Sequence, residues 1–221
     1  MGLSNVLAGV RRALELEPDL LLLDGSGAAI PPIAADRRVL VVGAHQSHEV
    51  STGYLNGYRA LVSDAIVVTT PTPGHEDELV ARVRGMARHG TPVVRATLCP
   101  TPVEVVAGER VAYFGTAPAD AHPGLRRHLE ERHDARVVHV SGALADRERL
   151  RVELAGLHAD TLVVELKAAA VDVVVEHAAA HGLRVVLAAN DLVTAAGDEP
   201  LEELAVRLAD EAIAERAAVV P

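Results

Sequence analysis

"ADTLVVELKAAAVDVVVEHAAAHGLRVV", residues 159–186, decides the fold. It opens on the apolar run "TLVVEL" (161–166), crosses a helical stretch at 168–181 and enters a second run, "RVVLAA" (184–189). Apolar runs of this length, rich in branched residues and bounded by breaks, suit strands buried on both faces. Gly182, in "HGLR", supplies the residue at which a helix can end in a left-handed turn. Strand, helix and strand in this order make a βαβ unit, whose crossover sets the two strands parallel.

The same alternation runs outward in both directions. Toward the amino terminus lie "DLLLLD" (19–24), "RVLVVGA" (38–44), "AIVVTT" (65–70), "PVVRATL" (92–98), "RVAYFGT" (110–116) and "RVVHVS" (136–141). Helices are expected at 3–16, 52–62, 75–89, 120–133, 145–157, 168–181 and 200–218, with Ser4 or Asn5 capping the first and "RHGT" (88–91) closing the third. Two prolines and a glycine interrupt the alternation in "LCPTPVEVVAGE" (98–109). The expected fold is therefore α/β, parallel sheets with flanking helices, in two lobes at 1–100 and 105–221. "AHGLRVV" and "RHGTPVV" look alike only because each is a helix, glycine, strand junction.

Composition narrows the function. About half of the 221 residues are apolar, enough for a sizeable core. The net charge of -10, from 31 acidic and 21 basic residues, argues against broad adhesion to nucleic acid or an anionic membrane. A small phosphorylated ligand needs only a few local cations and amides, so that class stays open. The single cysteine, Cys99, precludes an internal disulfide and fits a reducing cytoplasm. The apolar runs fall short of the roughly 20 residues that cross a bilayer, and "MGLSNVLAGVRR" is unlike a secretory signal.

Open α/β sheets bind ligands beyond the carboxyl ends of their strands. That rule selects Asp24, Gly25, Ser26 and Gly27; His45, Gln46 and His48; Glu165 and Lys167; and Asn190 and Asp191. An acid closing an apolar strand resembles a Walker B carboxylate beside Mg²⁺ and a nucleotide phosphate, while Gly-Ser-Gly reads either as an anion cradle or as a tight turn. Lys167 opposes the dipole at the start of a helix, a conflict that a bound phosphate resolves; the other reading is a lysine in solvent or paired with Glu165 or Asp172. Arg59 carries the same two readings. His45 and His48 have the spacing of a ligand pair but lack a third partner nearby, which disfavours zinc. The signature GxxxxGK[ST] does not occur in the sequence.

"GSGAAIPP", "TGYLNGYRALVSDAIVVT", "VSGALADRERLR" and "ELKAAAVDVV" together resemble cyclic 2,3-diphosphoglycerate synthetases, in collinear order over nearly the whole chain. The resemblance implies the carboxyl-terminal half of such an enzyme, a partial form lacking the amino-terminal domain and P-loop. It divides the chain into the later part of a P-loop NTPase-like domain (1–100) and a Rossmann-like domain (105–221). It implies an ATP- and Mg²⁺-dependent ligase, with Asp24 assisting the metal and Gly25, Ser26 and Gly27 lining phosphates. Arg59 and Lys167 are then the substrate-phosphate cations, and His45 and Gln46 a polar wall. Where Asp24 stands, the family usually has Glu. Implied partners are a small phosphorylated metabolite, a P-loop-bearing segment or subunit, and a second copy of the chain. Two alternatives remain: a non-enzymatic phosphometabolite or partner-binding module, and a ligase of the dethiobiotin synthetase kind, which leaves "ELKAAAVDVV" unexplained.

Overall fold

The structure, a computed structural model, describes residues 5–25, 33–44, 46–70, 76–166 and 169–219. Its elements are α1 (Val6–Leu14), β1 (Val39–Gly43), α2 (His48–Thr52), α3 (Tyr54–Val62), β2 (Ala65–Thr70), α4 (Asp77–Met86), β3 (Val93–Pro102), β4 (Arg110–Phe114), α5 (His122–His133), β5 (Arg136–Ser141), α6 (Arg147–Ala155), β6 (Thr161–Glu165), α7 (Val171–His181), β7 (Arg184–Thr194) and α8 (Leu201–Val219). The chain forms two compact units: Met1–Val68 with Glu76–Arg95 and Ala196–Pro221, and Thr69–His75 with Ala96–Ala195. The carboxyl-terminal helix α8 thus belongs to the first unit, whereas the sequence reading ran it on from the second lobe.

In the first unit the strands lie in the order β1, β2, β3. Alternation along each strand sorts its side chains between two layers. Val42, Ile66, Val68 and Val93 pack with Ala60 of α3 and Leu79, Val80 and Val83 of α4. Ala65 and Val94 pack instead with Leu204 and Leu208 of α8. Asp198, just before α8, accepts from the Arg95 backbone N–H at 2.8 Å and from its guanidinium at 2.9 and 3.0 Å, tying the helix to β3.

The second unit carries the order β3, β7, β6, β4, β5. The pairs β4/β5, β4/β6 and β6/β7 are parallel, as the βαβ reading requires. Ala112, Phe114, Leu162 and Val164 face α6 and α7, with Leu150, Leu154, Val173 and Val174 completing that core. Val111, Tyr113, Val137, Val163 and Val186 face the other way, onto Leu125 and Leu129 of α5. Gly182 does end α7 in the left-handed region, at φ 66°.

Three expectations change. "DLLLLD" is not a strand: residues 19–25 have no regular structure, and Leu22 is 83% exposed. Its four leucines signal apolar character, but a strand also needs a neighbour for its backbone groups, and the described residues of this segment pair with no sheet. The break expected from residue 98 comes later, because β3 runs through "CPTP" and pairs antiparallel with β7, from Ala96 opposite Thr194 to Pro102 opposite Ala188. Finally, α4 ends at Met86, before Gly90 takes its positive φ of 87°; of the two caps expected for α1, Asn5 makes no side-chain capping bond and Ser4 lies outside the described residues.

Candidate functional site

Because β4, β6 and β7 are parallel, their carboxyl ends come out at one edge of the second unit. There Glu165, the last residue of β6, bridges its neighbours. One carboxylate oxygen accepts from the Thr116 backbone N–H at 2.9 Å and its hydroxyl at 3.1 Å; the other accepts from the Asn190 amide at 2.7 Å. Beside them Thr101 donates to Asp191 at 2.6 Å. The Glu165 carboxylate is therefore occupied as a clamp that joins the end of β6 to the loop after β4 and to the middle of β7.

Backbone packing fixes the loops around this clamp. Gly115 donates to the Ser141 carbonyl at 2.9 Å, and its own carbonyl accepts from Leu144 N–H at 3.1 Å. A Cβ on Gly115 would lie 2.7 Å from the Tyr113 hydroxyl, and one on Gly142 would lie 2.2 Å from the Ala117 carbonyl oxygen. Tyr113 is buried, and burial, then the charge of Glu165, pushes its phenol well above the ordinary range, so it stays protonated. Behind Ser141, Glu153 is held below the usual carboxylate range: burial raises it, but hydrogen bonds from Ser141, His139 and Arg149 outweigh burial.

In the first unit the end of β1 leads into a hydrogen-bonded relay. Gln46 is exposed and donates its N–H to the Gly43 carbonyl at 3.3 Å; Ser51 donates to the same carbonyl at 3.3 Å. Ser47 caps α2 by accepting from Val50 N–H, Asn56 donates to the Val50 carbonyl at 2.6 Å, and Arg59 donates to the Asn56 side chain at 3.1 Å. His48 lies 3.2 Å from Glu78, whose carboxyl is held low by Arg82 first and by His48.

Of the residues nominated from sequence, Gln46 and Arg59 are thus joined in one segment of the first unit. Asp24 and Gly25 lie exposed in an irregular stretch, and Asp24 makes no hydrogen bond or ion pair among the described residues. Ser26, Gly27, His45 and Lys167 lie outside the described residues. The two carboxylates considered as partners for Lys167 are already engaged: Glu165 in the clamp, and Asp172 by Arg147 through a fork of two hydrogen bonds. No group of three His, Cys, Asp or Glu that could hold a metal occurs among the described residues. Sequence reasoning missed Thr116, Ser141 and Gly142. The available signal was a small polar or glycine residue directly after each apolar run, in "FGT" and "VSG".

A mostly parallel α/β sheet with polar side chains near its strand ends is an architecture that commonly takes small ligands there. Two sequence profiles make this specific: one for the P-loop domain of cyclic 2,3-diphosphoglycerate synthetase matches residues 2–98, and one for the C-terminal domain of the same protein matches residues 102–191. A cyclic 2,3-diphosphoglycerate synthetase of Rubrobacter xylanophilus is 47% identical over 208 residues, covering 91% of this chain and 47% of the relative. That of Thermococcus gammatolerans is 35% identical over 213 residues (95% and 48%), and that of Thermococcus sibiricus 32% over 186 (83% and 43%). The chain belongs to the cyclic 2,3-diphosphoglycerate synthetase family. It spans about half the length of the curated relatives it matches. The match at 2–98 corrects one expectation: the chain holds P-loop domain sequence as well as the C-terminal domain. No helix among the described residues is long and apolar enough to cross a membrane.

Proposed function

We propose that the chain works in the reaction of its relatives, closing 2,3-diphosphoglycerate into its cyclic anhydride at the expense of ATP. The observation that carries this reading is the succession of two profiles from one family along a single chain, at residues 2–98 and 102–191. A phosphate oxygen of the substrate attacks the γ-phosphorus of ATP, the bond to the β-phosphate oxygen breaks, and ADP leaves. An oxygen of the neighbouring phosphate then attacks the inner phosphorus of the new anhydride, expelling inorganic phosphate and closing the ring. Little covalent work falls to the protein: it must hold several negative charges together and in line.

The nominated residues suit that task. Mg²⁺ is commonly held by one or two carboxylates plus substrate phosphates, and Asp24, exposed and free of other described partners, fits as such a donor. Bound there, the ion would neutralise phosphate charge. Gly25, Ser26 and Gly27 offer amides and a hydroxyl, with His45 and Gln46 as neighbouring polar groups. Arg59 and Lys167 supply positive charge. The lone thiol, buried and raised by its burial, suits a reducing cytoplasm. Self-association is part of this reading, supported by Val39 and Val41, which are 52% and 60% exposed on the outermost strand.

The rival reading is binding of a phosphometabolite without turnover. Formation of ADP and cyclic product separates the two. The site assignment has its own test in titrations of 2,3-diphosphoglycerate. Lys167→Ala and Ser26→Ala should each weaken binding, about tenfold for the lysine, with an unchanged far-UV spectrum; unaltered affinity in both variants sinks the assignment.

A further inference from the structure

The second unit has a cavity of about 490 Å³ between α5 and β5 whose walls carry His122, Arg126, Arg127 and His139, with Glu130 the acidic residue among them. Such a volume suits a small molecule. The strand beside it is built against a different use. β5 is the last strand of its sheet, and its register with β4 slips, Val111 facing Val137 and Ala112 facing His139, so that Val138 bulges out of the ladder. Arg126 donates a hydrogen bond to the Val137 carbonyl, next to the bulge. A bulge on an outer strand discourages pairing with another chain, and the guanidinium from α5 occupies one of its carbonyls. The cavity thus lies beside an edge already closed to strand addition.

Its charges are set apart from the rest of the molecule. The chain as a whole is strongly acidic, at -10, yet two guanidiniums and two imidazoles from two elements meet here. Glu130, 3.6 Å from Arg126, offsets one of the guanidiniums. Arg127 has no hydrogen bond or ion pair among the described residues, although most of the arginines in the second unit are paired. His122 is pinned, its Nε2 3.2 Å from the Ala117 carbonyl oxygen, so the wall it forms is fixed to the loop that carries Thr116. His139 is held by Glu153 at 3.2 Å. Guanidinium forks match phosphate oxygens better than they match most other anions.

We propose that this cavity binds a small phosphate-bearing anion, with Arg126 and Arg127 as its donors and His122 as its fixed wall. None of these residues takes part in the reaction scheme above, and binding here requires no turnover, so the two proposals fail separately. The test is a ³¹P NMR titration of inorganic phosphate into the 221-residue chain, with 2,3-diphosphoglycerate and ADP as competitors. The expected result is saturable binding that falls about tenfold in Arg127→Gln, whose side chain has no partner to lose among the described residues, and further in the double variant with Arg126→Gln. Displacement by 2,3-diphosphoglycerate identifies a phosphate ester of the substrate kind, displacement by ADP identifies a nucleotide, and displacement by neither leaves inorganic phosphate itself. Arg11→Gln, on exposed α1, controls for general charge. Three results overturn the proposal: no saturable binding, undiminished binding in Arg127→Gln and the double variant, or an equal loss in Arg11→Gln.

Discussion

Replacing Gly142 by alanine tests whether the loops after β4 and β5 are as tightly fitted as their geometry implies. Gly142 has φ -97°, open to any residue, so the substitution meets no backbone strain. The obstacle is the Ala117 carbonyl oxygen, 2.2 Å from where the methyl carbon would sit, with His122 Nε2 at 3.2 Å. A relaxed carbon to oxygen contact is about 3.3 Å, so the loops must part by roughly 1 Å. The Gly115 bonds to Ser141 and Leu144 cross the same junction at 2.9 and 3.1 Å. Losing one or two of them at about 1 kcal/mol each, on top of about 1–3 kcal/mol for overpacking, outweighs the few tenths to 1 kcal/mol that alanine gains by stiffening the unfolded chain. The expected net loss is about 3 kcal/mol. Gly156→Ala is the internal control: nothing lies within 4 Å of its added carbon and φ is -105°, so its stability should hold or rise slightly. Urea denaturation followed by far-UV circular dichroism measures both. Equal midpoints and slopes for Gly142→Ala and the unsubstituted chain would refute the reasoning.

Other expectations are equally direct. Asp198 is held below the usual carboxylate range, first by its hydrogen bond from Arg95; its contribution is complete above the unfolded value of about 3.9 and vanishes as pH falls through the lower folded value. Asp198→Asn should therefore cost about 2 kcal/mol at neutral pH and leave stability flatter through the acid range, read by denaturation at a series of pH values. His128 is pushed low by burial first and by His133, and its Nε2 is buried without a hydrogen-bond partner among the described residues. Its neutral form belongs to the folded state, so stability drains as pH falls below about 6.5; His128→Leu should flatten that slope, and an unchanged slope would contradict the assignment. Glu165→Leu should strand the Thr116 and Asn190 donors and lower stability by about 1–2 kcal/mol, moderated by their access to water; a variant as stable as the parent would mean that the clamp bears no load.

How much of this was legible depends on what kind of force shapes each segment. The runs at 65–70 and 161–166 became β2 and β6 because a strand buried on both faces must be apolar at nearly every position. "DLLLLD" obeyed the same pattern and did not form a strand, since composition records a tendency to be buried and not whether a pairing partner is there. β3 outran its expected end because antiparallel pairing with β7 tolerates Pro100 and Pro102, and pairing between residues some 90 positions apart leaves no local mark. The strand-end rule placed Asn190 and Asp191 beyond the last strand, but β7 runs on to Thr194 and holds both within its ladder with β3, while Glu165 at the end of β6 is a structural clamp. Thr116 escaped notice because its role comes from a backbone N–H as much as from its hydroxyl. Nothing local in the sequence singles out Arg126 and Arg127, because the cavity they line also needs Val138 and His139 from β5.

The most direct test of the functional account mixes the purified chain with Mg²⁺, ATP and 2,3-diphosphoglycerate in one tube and follows the ³¹P resonances. The account predicts that the diphosphoglycerate signals shift or broaden saturably and that a cyclic anhydride signal grows in step with ADP and inorganic phosphate; saturable shifts without product would mean binding without turnover. Diphosphoglycerate resonances that stay in place at every protein concentration, with no product, would contradict it.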